Sequence, residues 1–243
     1  NIKGGYFHKG LHVNLATGVI ERRDLSDDFI ERYVGGRGFG AKLVWDNLKA
    51  HDFNIDPLGP ENLLVVAPGP LTGCYVPSSG KNSFVAISPA TGYYGDSSMG
   101  GGLSGELRQT GHDYLALAGA AAELSILFID DEHTSIIRMP YLKGKTCLET
   151  EGIIKEKLGS HDLHVAAIGV AGENRVRFAC VNSDWSRNAG RTGIGAIMGS
   201  KNLKAIVVRG TKDLPVHDVA GLAEETRKAV KYMTEHKYFR LWQ

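Results

Sequence analysis

Two glycine-rich segments contain the residues of this sequence that are best suited to chemistry. The first occupies residues 97–105 and reads SSMGGGLSG, and the second occupies residues 186–195 and reads SRNAGRTGIG. Glycine lets a backbone approach a ligand closely, and backbone N–H groups at the start of a helix favour anions. Arg187 and Arg191 in the second segment carry guanidinium groups that suit phosphate oxygens. The two segments therefore predict a protein that holds a large phosphorylated cofactor at two places.

The sequence contains none of the common motifs in which side chains carry out catalysis. The sequence around Lys81 lacks the upstream glycine of a P-loop, and Ser104 does not lie in a Gly-x-Ser-x-Gly elbow. The nine histidines form no metal-type pair at helical spacing, so we expect each to be satisfied or exposed. Cys180 falls in a predicted buried strand, which favours a core role over that of a nucleophile. The sequence thus predicts cofactor contacts without a catalytic residue.

Composition narrows the class of partner. The 243 residues include 28 basic and 27 acidic side chains, a balance that argues against a general nucleic-acid or membrane surface. No stretch has the length and apolarity of a transmembrane helix, and no N-terminal signal is visible. Three widely spaced cysteines argue against a disulfide framework and favour a cytoplasmic protein.

Hydrophobic patterning predicts a mixture of strands and helices. The predicted strands occupy residues 5–15, 19–25, 62–67, 83–88, 114–118, 123–129, 134–139, 164–168, 176–181 and 205–208. The predicted helices occupy residues 27–34, 41–48, the far end of 101–111, 148–158 and 218–242. Ser26 is the predicted cap of the first helix, and Gly159 is the predicted end of the fourth.

An internal repeat accompanies the glycine-rich segments. Residues 84–87 resemble residues 178–181, Gly102-Leu103 resembles Gly193-Ile194, and residues 115–119 resemble residues 206–210. The nearly constant offset favours a duplicated half-domain in which each half supplies one glycine-rich rim. The alternative is a chance match of common strand–glycine–helix patterns.

Longer blocks resemble a known family. Residues 62–73 (NLLVVAPGPLTG), 88–92 (SPATG), 105–113 (GELRQTGHD), 168–174 (IGVAGEN) and 193–205 (GIGAIMGSKNLKA) resemble, in this order, the N-terminal domain of the aldehyde:ferredoxin oxidoreductase family. The blocks span residues 5 to 213. The last block is long and specific, so it carries most of the resemblance.

The resemblance implies a function. Family members are tungsten, occasionally molybdenum, enzymes that oxidise aldehydes to carboxylic acids and pass electrons through a 4Fe-4S cluster to ferredoxin. Two pyranopterins hold the metal, a magnesium ion bridges their phosphates, and the N-terminal domain forms the base beneath them. The implied fold is α+β, with duplicated half-domains built on mixed and antiparallel sheets. We accordingly expect residues 1–213 to form the pterin-binding domain and residues 214–243 to begin a truncated helical second domain.

The resemblance assigns three residues of the first half to the cofactor. Lys81 takes a position, between pterin and iron–sulfur cluster, where the family commonly has arginine; the charge survives but a bidentate contact does not. Ser98 takes a position where relatives present asparagine toward the magnesium and phosphates, so its hydroxyl is a candidate metal ligand. Gly100 matches a close approach of the backbone to the cofactor.

The second half contributes four residues. Arg187, Asn188, Gly190 and Arg191 match the family's second phosphate-binding segment. Asn188 would offer its main-chain carbonyl to magnesium, so its side chain matters little. The alternative for both arginines is an ordinary surface position.

This sequence also differs from the family pattern, and the differences limit which functions we predict for it. The family's cluster cysteines arrive downstream as Cys-x-x-Cys-x-x-x-Cys, a pattern that Cys74, Cys147 and Cys180 do not fit. The groups that handle the substrate also lie downstream, so we expect this stretch alone to be inactive. We expect it to be a fragment or one piece of a split enzyme. The expected partners are ferredoxin and an aldehyde, with a homodimer possible in the family and no nucleic acid or membrane. Two alternatives stay open: a non-catalytic pterin- or phosphate-binding scaffold or subunit, and a family member acting on another substrate such as an aromatic thioester.

Overall fold

Two six-stranded sheets dominate the structure, a computed structural model that describes residues 2–239. The first sheet contains β1 (Lys9–Asn14), β2 (Ile20–Asp24), β3 (Leu64–Pro68), β4 (Lys81–Ile87), β5 (Tyr94–Gly100) and β6 (Tyr114–Ala118). The second contains β7 (Ser125–Asp130), β8 (His133–Arg138), β9 (His164–Ala167), β10 (Val181–Ser183), β11 (Arg187–Ala189) and β12 (Leu203–Arg209). The strands β5 and β11 were not predicted, and both lie within or beside the glycine-rich segments.

Helices connect and cover the sheets. They are α1 (Asp27–Tyr33), α2 (Arg37–Ala50), α3 (Leu103–Gln109), α4 (Cys147–Leu158), α5 (Val170–Glu173), α6 (Ile194–Ser200) and α7 (Val219–Glu235), with a 3₁₀ turn at Pro140–Leu142. The predicted caps are confirmed: Ser26 Oγ accepts the Phe29 N–H at 3.2 Å, and Gly159 ends α4 in the left-handed conformation at a φ of 67°. Thr146 and Glu149 add a reciprocal capping box at the start of α4.

The two sheets have the same topology. The first has the order β2-β1-β6-β3-β4-β5, and the second, read in the matching direction, has the order β8-β7-β12-β9-β10-β11. Each sheet contains one parallel pair, β1 with β6 in the first and β7 with β12 in the second. All the other neighbouring strands in both sheets are antiparallel, so the order of parallel and antiparallel pairs is the same. Agreement of order and direction over six strands supports the predicted duplication over a chance match.

Strand register corrects one part of the predicted repeat. Leu115 and Ile206 lie on strands that hold the same place in the two sheets. If they are matched as predicted, their antiparallel partners Val66 and Ala166 are matched as well. Phe84 also lies opposite Val66, whereas the residue opposite Ala166 is Ser183. The structural counterpart of Phe84 is therefore Ser183, and the predicted match to Phe178 is wrong.

The predicted strand 176–181 is a loop except at its last residue. The Ala179 carbonyl accepts the N–H of Gly195 at 3.0 Å, so this stretch satisfies the start of α6 instead of a strand ladder. Cys180 consequently lies exposed, and the prediction that it is a core residue is wrong.

The core consists of three clusters. The central cluster contains side chains of both sheets, such as Phe84 and Ile206, together with Leu103 of α3 and apolar side chains of α6. The opposite face of the first sheet packs on α1 and α2, and that of the second packs on α4 through Ile154. Phe84 belongs to the central cluster and its neighbour Val85 to the outer one, because successive side chains of a strand point to opposite faces.

The C-terminal helix stands apart from this core. No residue of α7 is buried, although Leu222, Ala229 and Met233 were predicted to face inward. The predicted helix end at Trp242 lies outside the described residues. The boundary between residues 213 and 214 stays a prediction. Among the described residues, no helix is long and apolar enough to span a membrane.

Candidate cofactor-binding site

Each glycine-rich segment forms an edge strand, a turn and a short helix. The first runs from β5 into α3, and the second runs from β11 into α6. The strands β5 and β11 are end strands of their respective sheets. On the first edge, Gly100 lies opposite Lys81, and Ser98 lies opposite Ser83. The three cofactor residues predicted in the first half are therefore adjacent at the end of the β4–β5 pair.

The two edges meet. The backbone N–H of Arg191 donates to Ser97 Oγ at 3.1 Å. A Cβ atom at Gly95 of β5 would lie 2.8 Å from the Thr192 Cβ atom, so the strand and the turn are in close contact. The structure thus brings the predicted residues of the two halves into a single joint edge, formed by Lys81, Ser98, Gly100, Arg187, Asn188, Gly190 and Arg191.

The joint edge carries unneutralised positive charge. Lys81, Arg187 and Arg191 are exposed, and among the described residues no carboxylate oxygen lies within 4.0 Å of their charged groups. Clustered cations without acidic partners raise the local concentration of anionic ligands. The electrostatics of this edge therefore suit a ligand with several negative charges.

Two glycines of the edge are open. A Cβ atom at Gly190 would meet no atom within 4 Å, and one at Gly100 would meet only the Gly80 carbonyl oxygen at 3.6 Å. The packing of the protein itself does not require glycine at either position. Both leave room for a ligand to approach the backbone closely, which fits the proposed cofactor.

The candidate magnesium ligands differ in availability. Ser98 is exposed on β5. The side chain of Asn188 is engaged within its hairpin: its Oδ1 accepts Asn182 Nδ2 at 3.2 Å, and its Nδ2 donates to the Ser186 carbonyl at 3.0 Å. Only the main-chain carbonyl of Asn188 is left as a candidate ligand. In residues 2–239, no three or more His, Cys, Asp or Glu side chains are grouped so that they could hold a metal ion.

At each helix start, a backbone N–H is already bonded within the protein. The Gly102 N–H, at the start of α3, donates to Asp184 Oδ2 at 2.7 Å, so a carboxylate already caps this helix. At α6 the Gly195 N–H donates to the Ala179 carbonyl, and Gly193 is buried. The Gly102 and Gly195 N–H groups are therefore occupied within the protein. The expectation that the helix starts help to bind the anion stays a prediction, and the edge side chains and open backbone are further candidate binding groups.

Asp184 and His164 lie beside the joint edge but were not predicted from the sequence. His164 Nδ1 donates to Asp184 Oδ1 at 2.9 Å, because a carboxylate can only accept. This hydrogen bond raises the pKa of His164. Burial raises the pKa of Asp184, but the bonds from His164 and the Gly102 backbone outweigh it and the net pKa is lowered. No spacing in the sequence signals the pair, since β9 and the β10–β11 turn are brought together only by the sheet.

Arg108 belongs to a conspicuous block of the sequence but lies away from the joint edge's exposed groups. Its buried guanidinium donates to the carbonyls of Gly69 (2.9 Å), Pro70 (2.7 Å) and Gly5 (2.7 Å), and Asp113 Oδ1 lies 4.0 Å from its Nη2. The Asp113 carboxylate accepts the backbone N–H of Phe7 at 3.1 Å. This part of the block therefore holds the N-terminal segment and a loop in place.

Residues 10–210 match the family model described as aldehyde ferredoxin oxidoreductase, N-terminal domain. The chain belongs to the aldehyde ferredoxin oxidoreductase family. The joint edge accordingly lies within the part of the chain that defines the family, and the resemblance of the sequence blocks is confirmed.

Similar proteins extend well beyond this chain. It is 42% identical over 214 residues to the tungsten-containing aldehyde ferredoxin oxidoreductase of Thermococcus kodakarensis, covering 88% of this chain and 35% of that protein. The tungsten-containing aldehyde ferredoxin oxidoreductase of Pyrococcus horikoshii is also 42% identical, over 93% of this chain and 37% of its own length. An aliphatic sulfonate oxidoreductase, WOR-like subunit, of Pyrococcus furiosus is 34% identical over 98% of this chain and 40% of its own. The chain thus spans little more than a third of these relatives.

A solved structure confirms the α+β fold. The active site complex BamBC of benzoyl coenzyme A reductase, in complex with 1,5-dienoyl-CoA, matches with a TM-score of 0.91 and 37% identity, over 96% of this chain and 35% of that one. The predicted two-sheet architecture of the family is therefore present in this chain.

Proposed function

We propose that this chain is the cofactor-binding N-terminal part of a tungsten-dependent oxidoreductase that oxidises aldehydes to carboxylic acids and passes the electrons to ferredoxin. The observation that carries the proposal is the joint edge, where three unneutralised cations flank two open glycines. Membership of a family whose relatives are tungsten-containing supports the choice of cofactor.

The bis-pyranopterin metal group supplies the redox chemistry when bound. Arg187 and Arg191 would hold pterin phosphate, since the fork of a guanidinium matches phosphate oxygens. Lys81 would add a single charge from the opposite rim. Each charge-assisted hydrogen bond contributes about 1.5–3 kcal/mol. The chain's own task is therefore to bind and orient the group.

Magnesium would be held at the same edge. The Ser98 hydroxyl and the Asn188 main-chain carbonyl are the oxygen donors that we assign to it, because magnesium prefers oxygen ligands together with phosphates and water. Gly100 and Gly190 would let the backbone lie close to the pterins.

Electron transfer is assigned to other parts of the protein. Cys74, Cys147 and Cys180 are widely spaced and do not form the Cys-x-x-Cys-x-x-x-Cys pattern of the family. We therefore assign the 4Fe-4S ligands to residues outside this chain. Ferredoxin and an aldehyde as partners, a homodimeric assembly, molybdenum as an occasional substitute and a cytoplasmic location belong to the same proposal.

The proposal is tested by removing the phosphate-binding arginines. The natural protein is produced with tungstate as the double variant Arg187→Ala/Arg191→Ala, and tungsten and pterin are measured per chain. We expect both to be lost, since no other arginine is assigned to the edge. A matched control is Arg175→Ala/Arg177→Ala, which removes two exposed arginines of the same half and should keep both. Full tungsten content in the first variant would falsify the assignment.

A second candidate is reduction of an aromatic thioester, which the match to the benzoyl coenzyme A reductase complex favours. The wild-type protein separates the two. Turnover of an aldehyde with an artificial electron acceptor supports the first function, and turnover of an aromatic thioester with a low-potential donor supports the second. A protein that binds pterin and turns over neither supports the scaffold.

A further inference from the structure

The turn after β5 is filled by the other half of the chain. Gly101 has a φ of +101°, and a Cβ atom there would overlap Asp184 Oδ2 and lie 3.1 Å from Arg187 Cγ. A Cβ atom at Gly102 would overlap the His164 ring. Unlike Gly100 and Gly190, these two glycines are required by packing, because side chains of the second half pass directly over their backbone.

The side chain at the centre of this contact lies in a strained turn. Asp184 and Trp185 connect β10 to β11 with φ angles of 46° and 66°. A left-handed conformation costs about 1–2 kcal/mol per non-glycine residue, and it is rare for a residue as bulky as tryptophan. Such a turn persists where other contacts fix it. Here the fixing contacts are the two carboxylate bonds of Asp184, to the Gly102 N–H at 2.7 Å and to His164 at 2.9 Å.

We propose that Asp184, held by His164, is a positioning residue that fixes the second cofactor-binding rim against the first. We call the contact of Asp184 and His164 with Gly101 and Gly102 the inter-half clasp. It touches no ligand and acts through Arg187, which lies three positions beyond Asp184 and packs its stem on Gly101. The inference rests on the proposed function, because the groups being positioned are those assigned to the cofactor.

Preorganisation is the physical reason for such a clasp. The two edge strands belong to different sheets, so no ladder hydrogen bonds hold them together. Besides the clasp, the edges are joined by the hydrogen bond from the Arg191 N–H to Ser97 Oγ and by the packing of Gly95 on Thr192. Fixing the cations before the ligand arrives avoids the cost of ordering them on binding.

The chain offers a closely matched control residue. Asp131 also lies in a hairpin turn with a left-handed φ, 49°, and its Oδ1 accepts a backbone N–H, that of Thr211, at 2.8 Å. Its partner belongs to the same half, and β7–β8 lies at the far edge of the second sheet. Asp131 Oδ2 also accepts the Thr211 hydroxyl at 2.6 Å, so replacing Asp131 removes a carboxylate with two hydrogen bonds, as in Asp184, without touching the clasp.

The test compares Asp184→Ala and Asp184→Asn with Asp131→Ala and Asp131→Asn in the natural protein. Hydrogen exchange is followed by mass spectrometry on protein made without tungstate, in peptides covering 97–105, 186–195 and, as an internal reference, 203–209. Tungsten and pterin per chain are measured on protein made with tungstate. Asparagine tolerates the left-handed turn and keeps one acceptor, so Asp184→Asn measures partial rescue.

We expect Asp184→Ala to raise exchange about tenfold in the two rim peptides alone and to lower tungsten content about fivefold. Asp184→Asn should fall between this variant and wild type, and both Asp131 variants should match wild type in both readouts. Unchanged rim exchange, faster exchange with full tungsten content, or the same effect in Asp131→Ala overturns the clasp.

Two further outcomes keep the test decisive. Where Asp184→Ala does not fold, Asp184→Asn and His164→Gln are judged by the same criteria. A wild-type protein that contains no pterin overturns the proposed function, whereas the exchange measurement still decides whether the clasp fixes the two rims.

Discussion

The backbone N–H of Arg191 donates to Ser97 Oγ at 3.1 Å, and this bond joins turns and edges that belong to different sheets. Ser97 is buried, while its neighbour Ser98 points to the opposite face of β5 and is exposed. Adjacent serines on one strand therefore have different tasks: Ser97 joins the halves, and Ser98 is left free for a ligand.

Substitution of the two serines should separate these tasks. Ser97→Ala leaves the Arg191 N–H without its acceptor, so we expect the free energy of unfolding to fall by about 1 kcal/mol. Ser98→Ala removes an exposed hydroxyl and should change it by less than about 0.5 kcal/mol. Denaturant unfolding checks both values, and magnesium content should fall only in Ser98→Ala. Equal losses of stability would contradict the division.

Lys201 should make the protein more stable in mildly alkaline solution. Its Nζ is buried and donates to the carbonyls of Pro60 (3.1 Å) and Gly119 (3.2 Å). Burial lowers its pKa from 10.5 to about 8. Between these two pH values the unfolded chain binds more protons than the folded one, so the free energy of unfolding rises with pH. Below pH 8 both states are protonated and the cost of the buried charge is fully present.

The variant Lys201→Met isolates this effect. The stability difference between wild type and variant should be flat below pH 8 and increase in favour of wild type up to pH 10.5. Thermal unfolding across this range measures it. A difference that does not depend on pH would mean that Lys201 keeps its ordinary pKa in the folded protein.

Arg108 should be the most sensitive charged residue of the first half. Arg108→Met leaves the Pro70 and Gly5 carbonyls without this donor, and the Gly69 carbonyl with only the Thr72 N–H. It also leaves the buried Asp113 without its nearby cation. Loss of one partner of a buried pair costs about 3–5 kcal/mol. Arg108→Lys should not restore stability, because an ammonium cannot reproduce the fork that reaches Gly69 and Gly5 together. Denaturant unfolding of both variants measures the loss. An Arg108→Lys variant as stable as wild type would disprove the geometric argument.

The inter-half clasp should weaken as the pH rises. The hydrogen bond to Asp184 raises the pKa of His164; Glu106 raises it further, and burial and Lys155 oppose the rise. When the pKa of a histidine is raised in the folded state, its protonated form stabilises that state. This stabilisation is fully present below the ordinary histidine pKa and is lost as the pH rises through the raised pKa. Rim exchange, corrected for its intrinsic pH dependence, should therefore accelerate across this range in wild type and not in His164→Gln. The same pH profile in both proteins would remove His164 from the clasp.

Local signals account for what could be predicted of the fold. The capping box at Thr146 and the glycine at the end of α4 fix a helix without help from the rest of the chain. The strand β5 could not be predicted, because its sequence YGDSSMG has few residues that favour strands, and it is extended only because β4 supplies a full ladder. Cys180 was misplaced for the opposite reason: an apolar run suggested a strand where tertiary contacts made a loop.

The candidate site divides in the same way. Arg187 and Arg191 were found because arginine beside glycine is a local pattern. The clasp was not, since the contact of Gly102 with Asp184 joins residues 82 positions apart. Long-range pairing also places the Asp184 carboxylate at the start of α3.

The duplication makes the two rims of the site similar in backbone but not in side chains, and this has a consequence for ligand recognition. In the two matched sheets, Ser97 and Arg187 occupy corresponding places, since they lie opposite Phe84 and Ser183. The repeated scaffold therefore has a buried hydroxyl, bonded to the Arg191 N–H, on one rim where it has an exposed guanidinium on the other. A ligand with two similar anionic groups would therefore contact different side chains at its two ends. Although the backbone of the site is approximately two-fold symmetric, the site would bind such a ligand in a single orientation.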